Sequence, residues 1–350
     1  MKLFIQIPCY NERDTLPAVL ADLPREIDGV DEIYTLVVDD GSTDGTAEKA
    51  RELGVDFVLQ NPGNLGLAQS FVRGMESCLN LGADIIVHTD GDNQYQGADI
   101  PRLAAPVLQG EADMVVGCRD ISGHPEFSRT KKLLQKLGSA VVRRLSGTGV
   151  PDATSGFRAF SRRAALRLCV MNMFSHTLET LIQAGECGLR VAWVPVGTNP
   201  KTRPSRLFSS NFQFIKNQLM VLFSSYLFYR PKRFFGLLSA GSGLVALAGS
   251  ARIAYYLAFA PPDMIKFKTG TGLLVLFALI LCVLFAVSGL FASVFTGHRF
   301  LLEDIRFRVR AAQPPSASLV DNRDLYAAPE FFRWKELSAG HIPPARVSHG

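Results

Sequence analysis

The sequence predicts an α/β domain followed by two transmembrane helices in a chain of 350 residues. Before residue 120, short apolar runs alternate with amphipathic stretches, which is the pattern of buried strands connected by helices. Beyond residue 230, two long stretches contain no charged side chain. The hydrophobic content of 47% and the mean hydropathy of +0.15 lie between those of a soluble protein and a multi-span transporter, which agrees with this combination.

The apolar runs of the predicted sheet are bounded by polar or glycine-rich turns. They are KLFIQIP at 2–8, EIYTLVVDD at 32–40, VDFVLQ at 55–60, ADIIVHTD at 83–90 and ADMVVGC at 112–118. The helices predicted between them are at 14–23, 43–53, 66–81 and 98–109. Because sheets of this kind bind ligands at the carboxyl ends of their strands, we expect a functional site there.

Two stretches are long and apolar enough to cross a membrane. Residues 234–251 are 18 uncharged residues and residues 269–297 are 29. A spanning helix needs about 20 apolar residues, so we predict transmembrane helices at about 234–258 and 271–297. The alternative is a buried helical hairpin within a soluble domain.

Basic residues flank the two predicted spans on one side. They are Arg230, Lys232 and Arg233 before the first span, and Arg299, Arg306, Arg308 and Arg310 after the second. The connecting loop contains only Lys266 and Lys268. The positive-inside rule therefore predicts an integral protein of the cytoplasmic membrane, with the α/β domain and both termini in the cytoplasm.

The predicted domain organisation has four parts: a domain at 1–206, an amphipathic helix at 207–230, the spans within 231–298 and a cytoplasmic tail at 299–350. Apolar residues at steps of three and four before the first span favour a helix at the membrane interface, with ordinary core packing as the alternative. Small residues in the first span, at Ser239 and Gly243, allow close helix packing and a homo-oligomer.

The charge is divided unevenly along the chain. Residues 1–118 have a net charge of −13, with 7 Lys and Arg against 20 Asp and Glu, whereas residues 119–233 have +14, with 19 against 5. A basic middle segment indicates an anionic partner such as a phosphate-rich ligand or a membrane surface; the alternative is that the two segments attract each other.

Composition also excludes some classes of protein. The overall charge of only +5 argues against nucleic acid binding, and six scattered cysteines argue against disulfides or structural zinc.

Acidic turns follow the first, second and fourth predicted strands. Asp90 and Asp92 come directly after DIIVH, where two carboxylates can share Mg²⁺ or Mn²⁺ with a diphosphate, although acidic turns are also common without a ligand. Glu12 follows the first strand, and Asp39 and Asp40 end the second. The first strand lacks the G-x-G-x-x-G of a dinucleotide-binding oxidoreductase.

These turns carry a resemblance to a known family. IPCYNE, VVDDGSTDGT, NPGNLGLAQSFVRGM and HTDGDNQ, in this order, resemble the family 2 glycosyltransferases, which have the A-type, Rossmann-like fold. VVGCRD, DATSGFRAF and RPSRLF, followed by two spans, are similar to the branch that acts on polyprenyl phosphates. The resemblance covers about residues 2–300 and implies a cytoplasmic A-type catalytic domain.

The resemblance implies a donor site at the acidic turns. The residues implied to hold the nucleotide sugar are Pro8, Tyr10, Asn11, Glu12, Asp39, Asp40 and Asp90. The implied metal ligands are Asp92 and Gln94, together with Asp90. One departure is Leu65, where many relatives have a basic residue, and this leaves one diphosphate contact of the family open.

The same resemblance implies residues on the acceptor side. The catalytic set consists of Asp90, Asp92, Arg119 and Asp152, in which Arg119 contacts sugar or phosphate and Asp152 either orients the acceptor or caps a turn. The expected acceptor-phosphate contacts are Ser205 and Arg206, which match the branch, together with Arg129, Lys132 and Arg158. These last three come from the charge of the basic middle segment, and for the run that contains Arg129 and Lys132 the alternative is a solvated helix face. Arg158 could instead pair with an acidic residue of the first segment. A lipid monophosphate is already ionised near pH 7, so it needs cations to position it and no general base.

The sequence therefore predicts a metal-dependent, inverting glycosyltransferase. It would move a hexose from a UDP- or GDP-linked donor to undecaprenyl or dolichyl phosphate, with Mg²⁺ or Mn²⁺; inversion is implied by the resemblance. The alternatives are another acceptor, either a glycolipid or a polysaccharide, and a non-catalytic membrane scaffold. A processive synthase is disfavoured because Q-x-x-R-W is absent from the predicted catalytic domain.

Overall fold

The structure is a computed structural model of the full chain. The residues that it describes are 1–120, 129–170, 176–200, 220, 223, 224, 226, 227, 230–259 and 269–313, with the side chains of 129–137 left out. The predicted interfacial helix at 207–230 and the tail beyond residue 313 lie mostly or wholly outside them.

Seven strands form one mixed sheet in the described part of the chain. They are β1 Lys2–Cys9, β2 Glu32–Asp39, β3 Phe57–Gln60, β4 Ile85–His88, β5 Met114–Cys118, β6 Arg158–Ser161 and β7 Val191–Pro195. Their order is β3-β2-β1-β4-β6-β5-β7, and only β6 runs antiparallel to its neighbours. The first five strands lie where the apolar runs predict them.

Helices cover both faces of this sheet. In the α/β domain they are α1 Leu16–Ala21, α2 Thr46–Glu52, α3 Leu67–Asn80, α4 Ile100–Leu108, α5 Arg129–Ser146, α6 Arg162–Arg167 and α7 His176–Glu186. Phe4 of β1 belongs to the core cluster on one face, while Leu3 and Ile5 belong to the cluster on the other. Burial on both faces explains why the strands are continuous apolar runs rather than alternating patterns.

Strands β6 and β7 were not among the predicted strands. β6 has the four residues RAFS, too few for a periodic pattern, and β7 follows a helix that begins near residue 176. β6 lies between β4 and β5, so the two halves of the sheet meet through an antiparallel strand. This insertion brings the loop before Arg158 to the edge at which β4 ends.

The two apolar stretches form long helices, α8 Pro231–Phe259 and α9 Thr269–Ala312. Only 6% and 11% of their most apolar windows are buried, so their apolar side chains face outward as in membrane spans. Ser239 Oγ donates to the carbonyl oxygen of Cys282 at 2.9 Å, and a Cβ on Gly243 would lie 3.5 Å from Cys282 Sγ. The small residues of α8 therefore pack against α9 of the same chain, and a homo-oligomer stays a prediction.

Helix α9 continues well past the predicted end of the second span, at 297. Its 44 residues are about 66 Å long, roughly twice the hydrocarbon thickness of a bilayer. Its last turns reach the α/β domain, where Arg306 and Arg310 contact Glu76 of α3 and the guanidinium of Arg167 lies 4.5 Å from the ring centroid of Phe307. The start of the predicted tail is thus a helix fixed to the domain.

Candidate active site

The carboxyl ends of β1, β2 and β4 meet at one edge of the sheet. Cys9 is in register with Asp39 across the parallel pair β1–β2, and the backbone of Thr89 bonds to that of Gln6 at 3.1 Å. This topology brings together the three acidic turns that the sequence places far apart. The edge is the predicted position of a ligand site in an α/β sheet.

Asn11 ties the first turn to the second. Its backbone N–H donates to Ser42 Oγ at 2.8 Å, and its side-chain Oδ1 accepts from the N–H of Thr43 at 2.9 Å. Its φ of 56° is left-handed, a conformation that Asn tolerates better than most residues. Asn11 thus braces the loops, while neighbouring Tyr10 is 39% exposed.

The two aspartates at the end of β2 have different surroundings. Asp39, 1% exposed, accepts from the N–H of Ser42 at 3.2 Å and lies 3.4 Å from Gln60 Nε2. Asp40 accepts from Asn61 Nδ2 and from the N–H groups of two residues in the loop after β3. Asp40 therefore shapes that loop, which includes Leu65, and both of its oxygens are bonded to it.

Glu12 joins the first turn to the third. It is buried, as is Pro8 before it, and its backbone N–H donates to Thr46 Oγ1 at 2.9 Å. The hydroxyl of Thr15 lies 2.7 Å from Glu12 Oε2 and 2.9 Å from the carbonyl oxygen of Gly91. The acidic turns are therefore one connected unit.

Asp90, Asp92 and Gln94 lie together in the turn after β4. Gln94 Nε2 donates to Asp92 Oδ2 at 2.7 Å, and the Gln94 N–H to Asp92 Oδ1 at 3.2 Å. Within the described residues, no three His, Cys, Asp or Glu side chains converge as a complete metal site. Mg²⁺ and Mn²⁺ commonly take only one or two carboxylates and complete their shell with water and phosphate oxygens.

The electrostatics of Asp90 fit a cation at this place. Burial and the neighbouring charge of Asp92 raise the pKa of Asp90 to about 7, against the opposing effect of Arg119. Two carboxylates that repel each other in a partly desolvated turn are relieved by a divalent ion. Asp90 and Asp92 therefore fit a metal that shares its coordination with a diphosphate.

Arg119 and Asp152 form a buried ion pair beside this turn. Arg119 Nε donates to Asp152 Oδ2 at 2.8 Å and Nη2 donates to Asp152 Oδ1 at 3.2 Å and Thr154 Oγ1 at 3.1 Å. Burial works to raise the pKa of Asp152, but the charge of Arg119 and its hydrogen bonds lower it overall. The guanidinium also lies 5.8 Å from the ring centroid of Tyr95. Asp152 thus holds Arg119 in place, and both of its oxygens are occupied.

Two residues of the site were not among the predicted site residues. The hydroxyl of Tyr95, which is 6% exposed, accepts from the Gly156 N–H at 3.1 Å. A Cβ on Gly156 would lie 3.3 Å from both carboxylate oxygens of Asp90. Gly156 belongs to the quoted motif DATSGFRAF, but only the fold shows that it lies against the metal-binding turn.

We predict that Gly156→Ala weakens metal and donor binding by about tenfold, because the added methyl crowds Asp90 and displaces its carboxylate. The measurement is the Mn²⁺ concentration that half-saturates the protein. Gly149→Ala is the matched control, since a Cβ there meets nothing within 4 Å. Equal Mn²⁺ affinities in the two variants would show that the added methyl group does not displace the carboxylate of Asp90, which contradicts the prediction.

The structure corrects the assignment of Arg158 to the acceptor phosphate. Arg158 is 0% exposed and donates to Thr180 Oγ1 and to the carbonyl oxygens of Ala153 and Ser155. It is the first residue of β6 and is in register with His88, the last residue of β4, so it lies at this end of the sheet with its side chain turned into the core. Burial lowers the pKa of Arg158 to about 10, so it remains a cation within the core.

The other predicted acceptor contacts are not described. Ser205 and Arg206 lie outside the described residues, and so do the side chains of Arg129 and Lys132, although the backbone of both belongs to α5. Their role stays a prediction. The described geometry therefore brings the predicted donor and metal residues together and leaves the acceptor side to the sequence.

Comparison with known proteins agrees with this geometry. The profile of glycosyl transferase family 2 matches residues 4–168. The undecaprenyl-phosphate mannosyltransferase of Micrococcus luteus is 30% identical over 207 residues, which cover 56% of this chain and 83% of that protein. The polyprenol monophosphomannose synthase of Mycolicibacterium smegmatis is 31% identical over 224 residues, covering 61% and 83%.

Solved structures share the fold. The glucosyl-3-phosphoglycerate synthase of Mycobacterium tuberculosis, in complex with phosphoglyceric acid, superimposes with a TM-score of 0.51 at 23% identity, over 65% of this chain and 79% of that one. The same enzyme in complex with Mn²⁺, UDP-glucose and phosphoglyceric acid gives 0.50 at 23% identity, over 65% and 78%. These likenesses concern the α/β domain.

Proposed function

Because the chain belongs to glycosyltransferase family 2, in its polyprenyl-phosphate branch, we propose that it transfers a hexose from a nucleotide sugar to polyprenyl phosphate with inversion. The acceptor is undecaprenyl or dolichyl phosphate at the cytoplasmic face of the membrane. The donor carries UDP or GDP, and the metal is Mg²⁺ or Mn²⁺. The relatives named for polyprenyl-phosphate substrates support the acceptor class.

The observation that carries the proposal is a polar donor site on a domain that is joined to an outward-facing apolar hairpin. Asp90 and Asp92 are partly exposed in the turn after β4, and α8 and α9 follow in the same chain. Contacts between Glu76 and the end of α9 hold the hairpin against the domain. An acceptor with a polar phosphate head and a long hydrocarbon chain fits such a combination. Its phosphate stays in water beside the α/β domain, and its hydrocarbon chain stays in the membrane beside α8 and α9.

On the donor side, the residues would bind the nucleoside and place positive charge beside the diphosphate. Asp39 and Tyr10 would contact the nucleoside, and Asp90, Asp92 and Gln94 would hold the cation. When bound, that cation supplies positive charge to the departing nucleoside diphosphate. Arg119, kept in place by Asp152, adds a fixed positive charge beside the same turn.

On the acceptor side, the described residues suit a nucleophile that needs no base. Both oxygens of Asp152 are bonded to Arg119, and the fully buried His88 is neutral because desolvation and Arg158 lower its pKa to about 3. Neither is therefore placed to remove a proton from a sugar hydroxyl. A lipid phosphate attacks as an anion and requires only orientation by cations.

The direct test uses the full-length protein in detergent with Mg²⁺ or Mn²⁺, polyprenyl phosphate and a panel of radiolabelled nucleotide sugars. We expect label from one donor to enter the organic phase and to stop doing so with EDTA. Donor binding without lipid labelling, for every sugar, would contradict the acceptor and favour a glycolipid or polysaccharide. Absence of donor binding would contradict the enzymatic role itself.

A further inference from the structure

Three polar side chains form a row across one face of the sheet, directly behind the metal-binding turn. Gln6 of β1 is in register with His88 of β4, and His88 is in register with Arg158 of β6. All three are 0% exposed. His88 is the last residue of its strand, two positions before Asp90.

The hydrogen bond between Gln6 and His88 assigns the tautomer of the imidazole when the Gln6 amide is placed with its nitrogen towards the ring. Gln6 Nε2 lies 3.1 Å from His88 Nδ1. With the amide donating to Nδ1, the proton of the neutral ring is on Nε2. The reversed amide would leave the lone pair of Nε2 facing the carboxylate of Asp90, which is electrostatically unfavourable.

The protonated nitrogen is directed at the metal-binding carboxylate. His88 Nε2 lies 3.8 Å from Asp90 Oδ1 and has no hydrogen-bond partner among the described residues. A hydrogen bond of this kind spans about 2.7–3.2 Å, so a movement of about 0.6–1.1 Å by the carboxylate forms it. Arg158 does not compete, because its donors are bonded to Ser155, Ala153 and Thr180.

We propose that His88 is a positioning residue for Asp90, holding one carboxylate oxygen with its Nε2–H so that the other oxygen faces the bound cation. The inference rests on the proposed function only through the role of Asp90 as a metal ligand. Partners of this kind orient metal ligands, and their loss lowers metal affinity by about 10–100-fold. Gln6 supports the same arrangement from one strand further away.

A second buried histidine supplies a matched control. His176 of α7 stacks on Phe71 with ring centroids 4.1 Å apart, lies 4.7 Å from the His88 ring, and is 1% exposed. Its nitrogens also have no hydrogen-bond partner among the residues that the structure describes. Replacing either imidazole by phenyl changes the core in a similar way, but only the change at position 88 removes the N–H directed at Asp90.

The experiment titrates the purified full-length protein with Mn²⁺ alone and follows the free ion by electron paramagnetic resonance. We expect His88→Phe to raise the half-saturating Mn²⁺ concentration by about 10–100-fold and His176→Phe to change it by less than about twofold. His88→Gln, whose terminal N–H₂ can take the place of Nε2–H, should recover most of the affinity. Transfer assays should show the same shift in Mn²⁺ dependence, with a rate at saturating Mn²⁺ within a few-fold of wild type.

Wild-type affinity in His88→Phe, equal losses in the two phenyl variants, or no Mn²⁺ binding by the wild type would each overturn the inference. If His88→Phe does not fold, Gln6→Met provides the test, because it removes the group that orients the imidazole and should weaken Mn²⁺ binding by about three- to tenfold. An unchanged Mn²⁺ affinity in Gln6→Met would then contradict the proposal. The Mn²⁺ titration does not depend on the identity of the acceptor. The proposed function and the proposed role of His88 can therefore fail independently.

Discussion

Asp92→Asn is expected to lower the transfer rate by about 10³-fold while the protein remains folded and in the membrane. The change keeps the size of the side chain but removes one of the two neighbouring negative charges that would hold the cation. Without that charge, the leaving diphosphate loses electrostatic stabilisation of several kcal/mol, and about 1.4 kcal/mol corresponds to a tenfold change in rate. Initial rates at saturating donor and metal measure the effect.

Asp28→Asn is the control for this substitution, because Asp28 is exposed and the change in net charge is the same. It should leave the rate unchanged. Recovery of the Asp92→Asn rate at high Mn²⁺ would indicate that only affinity was lost, whereas full activity at ordinary Mn²⁺ would contradict the metal assignment.

Asp152→Ala is expected to lower the free energy of unfolding by about 3–5 kcal/mol and to abolish transfer. Asp152 is 1% exposed and Arg119 15%, so the substitution leaves a largely buried guanidinium without its partner. Breaking one side of a buried ion pair has effects of this size, because the remaining charge keeps its desolvation penalty. Denaturant unfolding of the full-length protein gives the stability, and lipid labelling gives the activity.

The double variant Arg119→Met/Asp152→Leu separates stability from function. Replacing both charges by apolar side chains removes the unpaired ion, so we expect most of the lost stability to return. Activity should stay absent, because the positive charge beside the metal-binding turn is gone. Activity without Arg119 would contradict its placement near the transferred group.

The features that the sequence predicts well are those carried by long or local patterns. β1 and the second half of β2, which are buried on both faces, appear as continuous apolar runs, and the uncharged stretches at 234–251 and 269–297 lie within α8 and α9. The acidic turns could be joined into one site because parallel strands end at the same edge. Local residue types suffice for such inferences.

Contacts that depend on register and on distant loops are not visible in the sequence. Asp152 is 33 positions from Arg119, so nothing local indicates that its oxygens are occupied. Arg158 was expected at the acceptor phosphate as a basic residue of the motif DATSGFRAF, but it is buried in β6 between β4 and β5. His88 looks like the end of a strand until its register with Gln6 is known.

The most direct test of the account uses a donor labelled with ¹⁴C in the sugar and ³²P in the phosphate attached to it. If polyprenyl phosphate attacks the anomeric carbon, ¹⁴C enters the lipid and ³²P remains in the water-soluble nucleoside diphosphate, in a reaction that EDTA stops. Both labels in the lipid would mean transfer of a sugar phosphate, with cleavage between the two phosphates. That result would contradict glycosyl transfer at this site.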